Sequence, residues 1–276
     1  MNAPATVQMT PDYTAIKVKQ NAAWGSGDYA KIGVTLQHTG EDLAEAMDLP
    51  CSAGVLDVAA GNGNATLAFA RRGCGVLSTD YVDTLLAAGR KRAEAEGLDV
   101  DYQIADVEDL PFENASFDAV VSTFGVMFAP NQEAAASEMK RVCRSGGKIG
   151  MANWTPDSFI GALFRTLGKH VSPPTGVQSP ARWGTAEWIK STFGPSAAKV
   201  EIEMRNYVFR YPSPKQFVDF FRTWYGPVHK AFASLDEAGQ KALEADILKT
   251  IEAYDTAKNG EMRVPSEYAQ IVITKA

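Results

Sequence analysis

The sequence predicts an α/β fold: a doubly wound, mostly parallel seven-stranded sheet, ending in a C-terminal antiparallel strand pair, with helical insertions forming a lid. Three observations predict it. From residue 54 to residue 154, apolar runs of strand length alternate with helical runs. The strands are apolar through their centres, as in "GVLDVA" and "FDAVVST", which suits strands covered on both faces. After Trp154 the rhythm changes to helices around one long alternating strand and a final strand.

Each element follows in order. Residues 1–20 read as loosely ordered, and "NAAWGSGDYAKIG" (21–33) as a turn-rich stretch. A helix over 40–48 stops at Pro50. "GVLDVA" (54–59) is the first strand, and 64–73 a helix closed by Gly73. "GVLSTD" (75–80) is the second strand. The helix 83–97 is capped by Asp83 and ended by Gly97. "VDYQIAD" (100–106) and "FDAVVST" (117–123) are the next strands. A helix over 131–147 leads into the fifth strand, 148–154.

Beyond it come helices over 155–170 and 185–194, separated by a proline-rich loop, and a strand over 198–211. Three helical stretches fill 213–255, the last opening with the capping box "SLDE" (234–237). A last strand covers 267–276. The chain therefore divides into an N-terminal closing segment (1–39), a binding core (40–155) and substrate-covering insertions plus the last two strands (156–276). No repeat or flexible linker interrupts it.

Composition narrows the partners. The 276 residues are 45 % apolar and 22 % charged, with a net charge of −6 and no block of like charge. That gives no electrostatic footprint for nucleic acid and points to a small-molecule partner. Cys51, Cys74 and Cys143 are too scattered for a disulfide framework or a zinc site, and read as reduced, buried and inert. The N-terminus lacks the basic start and apolar core of a signal peptide, and no stretch is long enough to span a bilayer, so a cytoplasmic protein is expected.

The chemistry centres on "VLDVAAGNGN" (55–64). A phosphate loop needs a Lys and a Ser or Thr after its glycines, and "GNGNAT" has no such Lys. A dinucleotide fingerprint needs a small residue where Thr66 stands. Asp57 at the strand end suits a cationic ligand better than a pyrophosphate. S-adenosylmethionine (SAM) is such a ligand: it carries a sulfonium, an ammonium, a ribose diol and an adenine amine. Asp57, Asp80 and Asp106 follow successive strands, with Asp80 placed to accept both ribose hydroxyls.

These motifs, with "VLSTDYVDTLL", "ADVEDLPFENASFDAVVSTFGVMFAPN" and "EMKRVCRSGGKIGMANW", resemble the class I SAM-dependent methyltransferases. The likeness is especially to the subgroup that includes the ubiquinone/menaquinone-biosynthesis methyltransferases, over roughly residues 50 to 155. The resemblance implies a Rossmann-like core and these roles. Asp57 and the backbone of Ala59, Gly61, Asn62 and Gly63 hold the methionine part. Asp80 holds the ribose. Tyr81 and Val107 flank the adenine, and Asp106 meets its amine. Ser122, Thr123 and Phe124 approach the sulfonium. Trp24 and Tyr29 close the cofactor from the N-terminal side. Ala59 stands where the family has a glycine, which is tolerated if its φ stays negative.

Methyl transfer is an in-line displacement that needs alignment and exclusion of water, and a base only for an acceptor that must lose a proton. His170 and His229 are the candidate bases, and His38 reads as structural. Phe128, Trp154, Trp183, Trp224 and Tyr225 are the candidate acceptor pocket, favouring an apolar, aromatic or quinol-like acceptor. Arg222 reads as a salt-bridge residue. Two other readings compete: a non-catalytic SAM-binding regulator and a nicotinamide oxidoreductase. The second should show a second mononucleotide-binding half.

Overall fold

The computed structural model describes residues 11–276. Seven strands form one sheet in the order β3-β2-β1-β4-β5-β7-β6. They are β1 (Gly54–Val58), β2 (Gly75–Asp80), β3 (Asp101–Ile104), β4 (Phe117–Thr123), β5 (Cys143–Trp154), β6 (Ala197–Tyr211) and β7 (Met262–Lys275). The first five run parallel; β7 lies antiparallel between β5 and β6. The chain winds outward from β1 to β3, then returns to place β4 against the other side of β1. That reversal opens a crevice at the carboxyl ends of β1 and β4, where open α/β sheets bind ligands.

Helices cover both faces. Leu43 and Met47 of α3 (Gln37–Met47) and Ala65, Ala68 and Phe69 of α4 (Asn64–Arg71) pack on Val55 and Val121. Leu56, Val58 and Val120 belong to a larger core that includes Met139 and Val142 of α6 (Gln132–Val142). Between these, α5 (Asp83–Glu96) joins β2 to β3. The helical cap is built from α7 (Phe159–His170), α8 (Ala186–Phe193), α9 (Pro214–Trp224), α10 (Gly226–Ala233) and α11 (Glu237–Tyr254).

Several expectations need correction. Residues 13–20 are not loose: they begin α1 (Tyr13–Trp24), whose N-cap Asp12 accepts from the amide of Ala15. The expectation for residues 1–10 lies outside the described residues. Asp83 does not cap α5; the residue before the helix is Val82, whose amide donates to Asp80. The cap of α11 is Asp236, which accepts from Gly239, rather than Ser234. The helix expected to reach 147 ends at Val142, and β5 starts at Cys143 across a register shift opposite Phe117 and Ala119. β7 starts at Met262 because β6 pairs with it along nearly its whole length. Cys51 is exposed, while Cys74 and Cys143 are buried. His38 lies inside α3 and stacks on Tyr207, centroids 5.3 Å apart.

Candidate functional site

A cleft with about 770 Å³ of empty space, counted out to open solvent, runs along the carboxyl ends of β1 to β4. The β1–α4 loop forms its floor. Gly61 and Gly63 have φ of +58° and +82°, which glycine adopts without strain. Ala59 has φ +48°, against the expectation of a negative value. Phe124, just past β4, has φ +55°. A left-handed conformation costs a non-glycine residue roughly 1–2 kcal/mol. The neighbour accounts for the strain: a Cβ on Gly125 would lie 2.0 Å from the Ala59 carbonyl oxygen. The two loops pack backbone on backbone at the reversal point.

Asp80 ends β2 and is buried in the wall. Its carboxylate accepts the amides of Gly61 (2.9 Å) and Val82 (2.9 Å). Burial pushes it up to about 6, against the pull of those amides. Tyr29, in α2 (Tyr29–Gly33), lines the cleft beside Gly61; burial and the Asp80 charge raise its phenol, so it stays protonated. Asp106 accepts Lys17 Nζ (2.6 Å) and the Glu108 amide (2.9 Å). Lys17 also reaches Glu108 (3.0 Å). Burial works against its charge, but the two carboxylates prevail and raise its pKa.

α1 crosses the mouth of the cleft. Asn21 donates to the Tyr81 carbonyl (2.7 Å) and Gln20 to the Phe128 carbonyl (3.3 Å). Trp24 packs edge-on against Phe128 (4.9 Å), Tyr29 (5.6 Å) and Tyr225 (5.6 Å). One helix is thus fastened to the ends of β2, β3 and β4.

The sequence matches the methyltransferase domain family over residues 56–151. An uncharacterized protein of Mycobacterium tuberculosis, Rv1403c, is 35% identical over 84% of this chain and 86% of its own length. A demethylmenaquinone methyltransferase of Thermus thermophilus is 30% identical over 57% of this chain and 75% of its own. The chain belongs to the class I SAM-dependent methyltransferases. The YcgJ protein of a Bacillus shares the fold, with a TM-score of 0.61 at 18% identity over 86% of this chain and 98% of that one.

In this methyltransferase, Trp24, Tyr29, Ala59, Gly61, Asn62, Asp80, Tyr81, Asp106, Val107, Thr123, Phe124 and Phe128 all line the cleft. Asp57, Gly63 and Ser122 do not. Strand alternation turns Asp57 toward α4 with Val55, where it accepts the Thr66 amide (2.8 Å) and hydroxyl (2.6 Å). It satisfies a first-turn amide that the helix cannot. Burial, with the Asp80 charge adding, raises it to about 7 although the Thr66 bonds pull it down. Ser122 is turned inward and accepts the Val126 amide (2.9 Å), shaping the turn after β4.

Neither candidate base reaches the cleft. His170 Nε2 is 2.8 Å from Asp246 and clasps α7 to α11. His229 Nδ1 is 3.0 Å from the Arg222 carbonyl and joins α9 to α10. Among the acceptor-pocket candidates, Trp154, Trp183, Trp224 and Tyr225 do not line it. Trp154 stacks on Phe124 (4.1 Å), and Trp183 is buried against Trp188 (4.3 Å). Lys31 lies over the Trp224 ring (5.6 Å), and Tyr225 stands one layer behind Trp24 and Tyr29. Arg222 does reach Glu244 (3.9 Å) and also donates to Gln240. Trp183, Trp224 and Tyr225 pack under the cap, while Trp154 packs the end of β5 against the turn after β4.

Lys17, Gln20, Asn64, Leu85, Glu108 and Gly125 also line the cleft and were missed. Lys17, Gln20 and Trp24 are spaced three and four apart, a helical face that reading residues 1–20 as loose conceals. Among the described residues, no group of three or more His, Cys, Asp or Glu is placed to hold a metal, and no helix is long and apolar enough to cross a membrane.

Proposed function

We propose that this enzyme binds SAM in the cleft and transfers its methyl group to a small apolar or aromatic acceptor. The observation that carries the cofactor reading is Asp80. It is a buried carboxylate at the end of β2, held by two amides, with lone pairs left to accept a ribose diol. Tyr81 and Val107 line the wall where an adenine would lie, and the Ala59–Gly63 backbone offers a side-chain-free approach for the methionine part. When bound, SAM supplies a methyl group already activated by the sulfonium charge.

The protein's own residues then align and exclude. Thr123, Phe124 and Gly125 form the wall at the β4 end. Trp24, Tyr29 and Phe128 close the opposite side with aromatic surface and keep water away. The carboxylates of the cleft are engaged: Asp80 with two amides, and Asp106 and Glu108 with Lys17. Those contacts favour an acceptor that arrives already nucleophilic. The aromatic wall favours a flat or apolar one, quinol-like rings included.

Calorimetric titration tests this. SAM should bind and NAD should not, and Asp80→Ala should weaken SAM at least tenfold, about 1.4 kcal/mol. Tighter binding of NAD sinks the reading. A screen of small acceptors, read out as S-adenosylhomocysteine, then separates an enzyme from a SAM-binding regulator.

A further inference from the structure

The β1–α4 loop is tied down from behind. Gly61 and Gly63 open its backbone to a ligand, but glycine also leaves a backbone free to adopt many conformations. The peptide between Asn62 and Gly63 is nevertheless held at both ends. The Gly63 amide donates to the Ala60 carbonyl (2.9 Å), and Arg92 Nη1 donates to the Asn62 carbonyl (2.7 Å). The same Nη1 reaches Asn64 Oδ1 (2.9 Å), and Nη2 reaches Gln37 Oε1 (3.0 Å). Asn64 Nδ2 in turn donates to the carbonyl of Gly33 (2.8 Å), at the end of α2, the helix that carries Tyr29. One side chain of α5 thus joins the loop, the start of α3 and, through Asn64, α2. Glycines let these elements meet. A Cβ on Gly33 would lie 2.1 Å from Asn62 Oδ1, and one on Gly40 of α3 2.5 Å from the Asn64 carbonyl oxygen. Gly89, one helical turn before Arg92, sets α5 against the Asn62 carbonyl. Asn62 and Asn64 line the cleft, whereas Arg92 and Gln37 do not.

We propose that Arg92 is a positioning residue that holds the glycine loop in the shape that receives the amino-acid end of SAM. This rests on the SAM reading above. A loop ordered before the ligand arrives does not have to be ordered by it, so the clamp raises affinity without touching the ligand. The planar guanidinium suits the task, because it presents several donors in a rigid fork to three separate acceptors. Those acceptors are neutral, and although burial lowers its pKa, an arginine keeps its charge. The effect belongs to one end of the ligand. Asp80 on β2 and Val107 beyond β3, at the nucleoside end, stand outside the clamp.

The test compares S-adenosylhomocysteine with methylthioadenosine, which keeps the base, ribose and sulfur but lacks the amino-acid end, by calorimetry on the full-length protein. Arg92→Met should weaken S-adenosylhomocysteine about tenfold, or about 1.4 kcal/mol, and leave methylthioadenosine within about twofold. Without ligand, amide exchange over residues 59–64 should rise about tenfold in the variant, with α6 unchanged. Arg92→Lys serves as a second variant, with thermal midpoints checked for both: its ammonium keeps the charge but cannot span all three acceptors, so it should show a smaller loss with the same ligand selectivity. Equal weakening of both ligands would reduce Arg92 to general support of the fold and overturn the proposal, as would unchanged affinity for both or unchanged exchange in the loop. Failure of the wild type to bind S-adenosylhomocysteine would instead overturn the cofactor reading, and this inference with it.

Discussion

Asp57 shows how position on a strand decides a side chain's task. Its sequence neighbours suggest a ligand contact, yet the pleat turns it toward α4, where Thr66 takes it. The consequence is a pH dependence opposite to ordinary acid denaturation. In the unfolded chain an aspartate titrates near about 3.9. In the folded protein burial raises Asp57 to about 7. Between those values the native state keeps a proton that the unfolded chain has released. Its contribution to stability is therefore complete below about pH 4 and is lost as pH rises toward about 7. Relative to Asp57→Asn, the wild type should lose thermal stability as pH goes from about 5 to about 7.5. Parallel stability curves for the two proteins would mean that Asp57 stays ionised in the fold. Asp80, raised to about 6, adds to the same trend in both proteins.

At the scale of elements, the alternating core was legible because each strand and helix carries its own local signal. β1, β2 and β4 have apolar centres, and α5 ends on Gly97 with φ +67°. Long-range effects were not legible. Cys143 to Gly147 have a helix before them and glycines among them, yet Cys143 pairs with Phe117 of β4, and β5 continues across a register shift to Lys148, opposite Ala119. In the site, the strand-end acids and glycine turn were readable as a sequence of motifs. The direction each side chain faces was not, which is why Asp57, Ser122 and the histidines were misplaced. α1 was missed because its interior helical signal is weak; it is docked by tertiary bonds. Those bonds can be loosened. Lys17 and Asp106 are about a quarter to a third exposed (26% and 31%), so solvent screens their pair. That pair with the Asn21 bond to Tyr81 should together contribute about 1–2 kcal/mol. The double variant Lys17→Met, Asn21→Ala should speed amide exchange in α1 by about tenfold and leave α4 unchanged. Exchange rising equally in both helices would mean that α1 is part of one cooperative unit with the core.

Across the whole molecule, the sheet supplies a rigid edge and the cap supplies its cover. β7 threads between β5 and β6, so the helices of the cap leave and rejoin the same sheet that carries the cleft. Cap and core are therefore tied at both ends, and the cap needs its own cross-links only between helices. His170 with Asp246 is one, and Thr166 with Thr250 (2.8 Å) lies beside it. His229 with the Arg222 carbonyl is another. A general base in the chemical step contributes about 10²–10⁴ in rate, whereas a cross-link of this kind contributes about 1 kcal/mol to stability. The two roles are thus separable by size. His170→Ala and His229→Ala should each lower the thermal midpoint by a few degrees, about 1 kcal/mol, with Asp246 half exposed and its share reduced accordingly. Methyl transfer to the acceptor found by screening should stay within about twofold of wild type. A hundredfold loss of kcat at unchanged stability would put the histidine at the reacting atoms, and would require the cap to close further over the β4 end of the cleft during turnover.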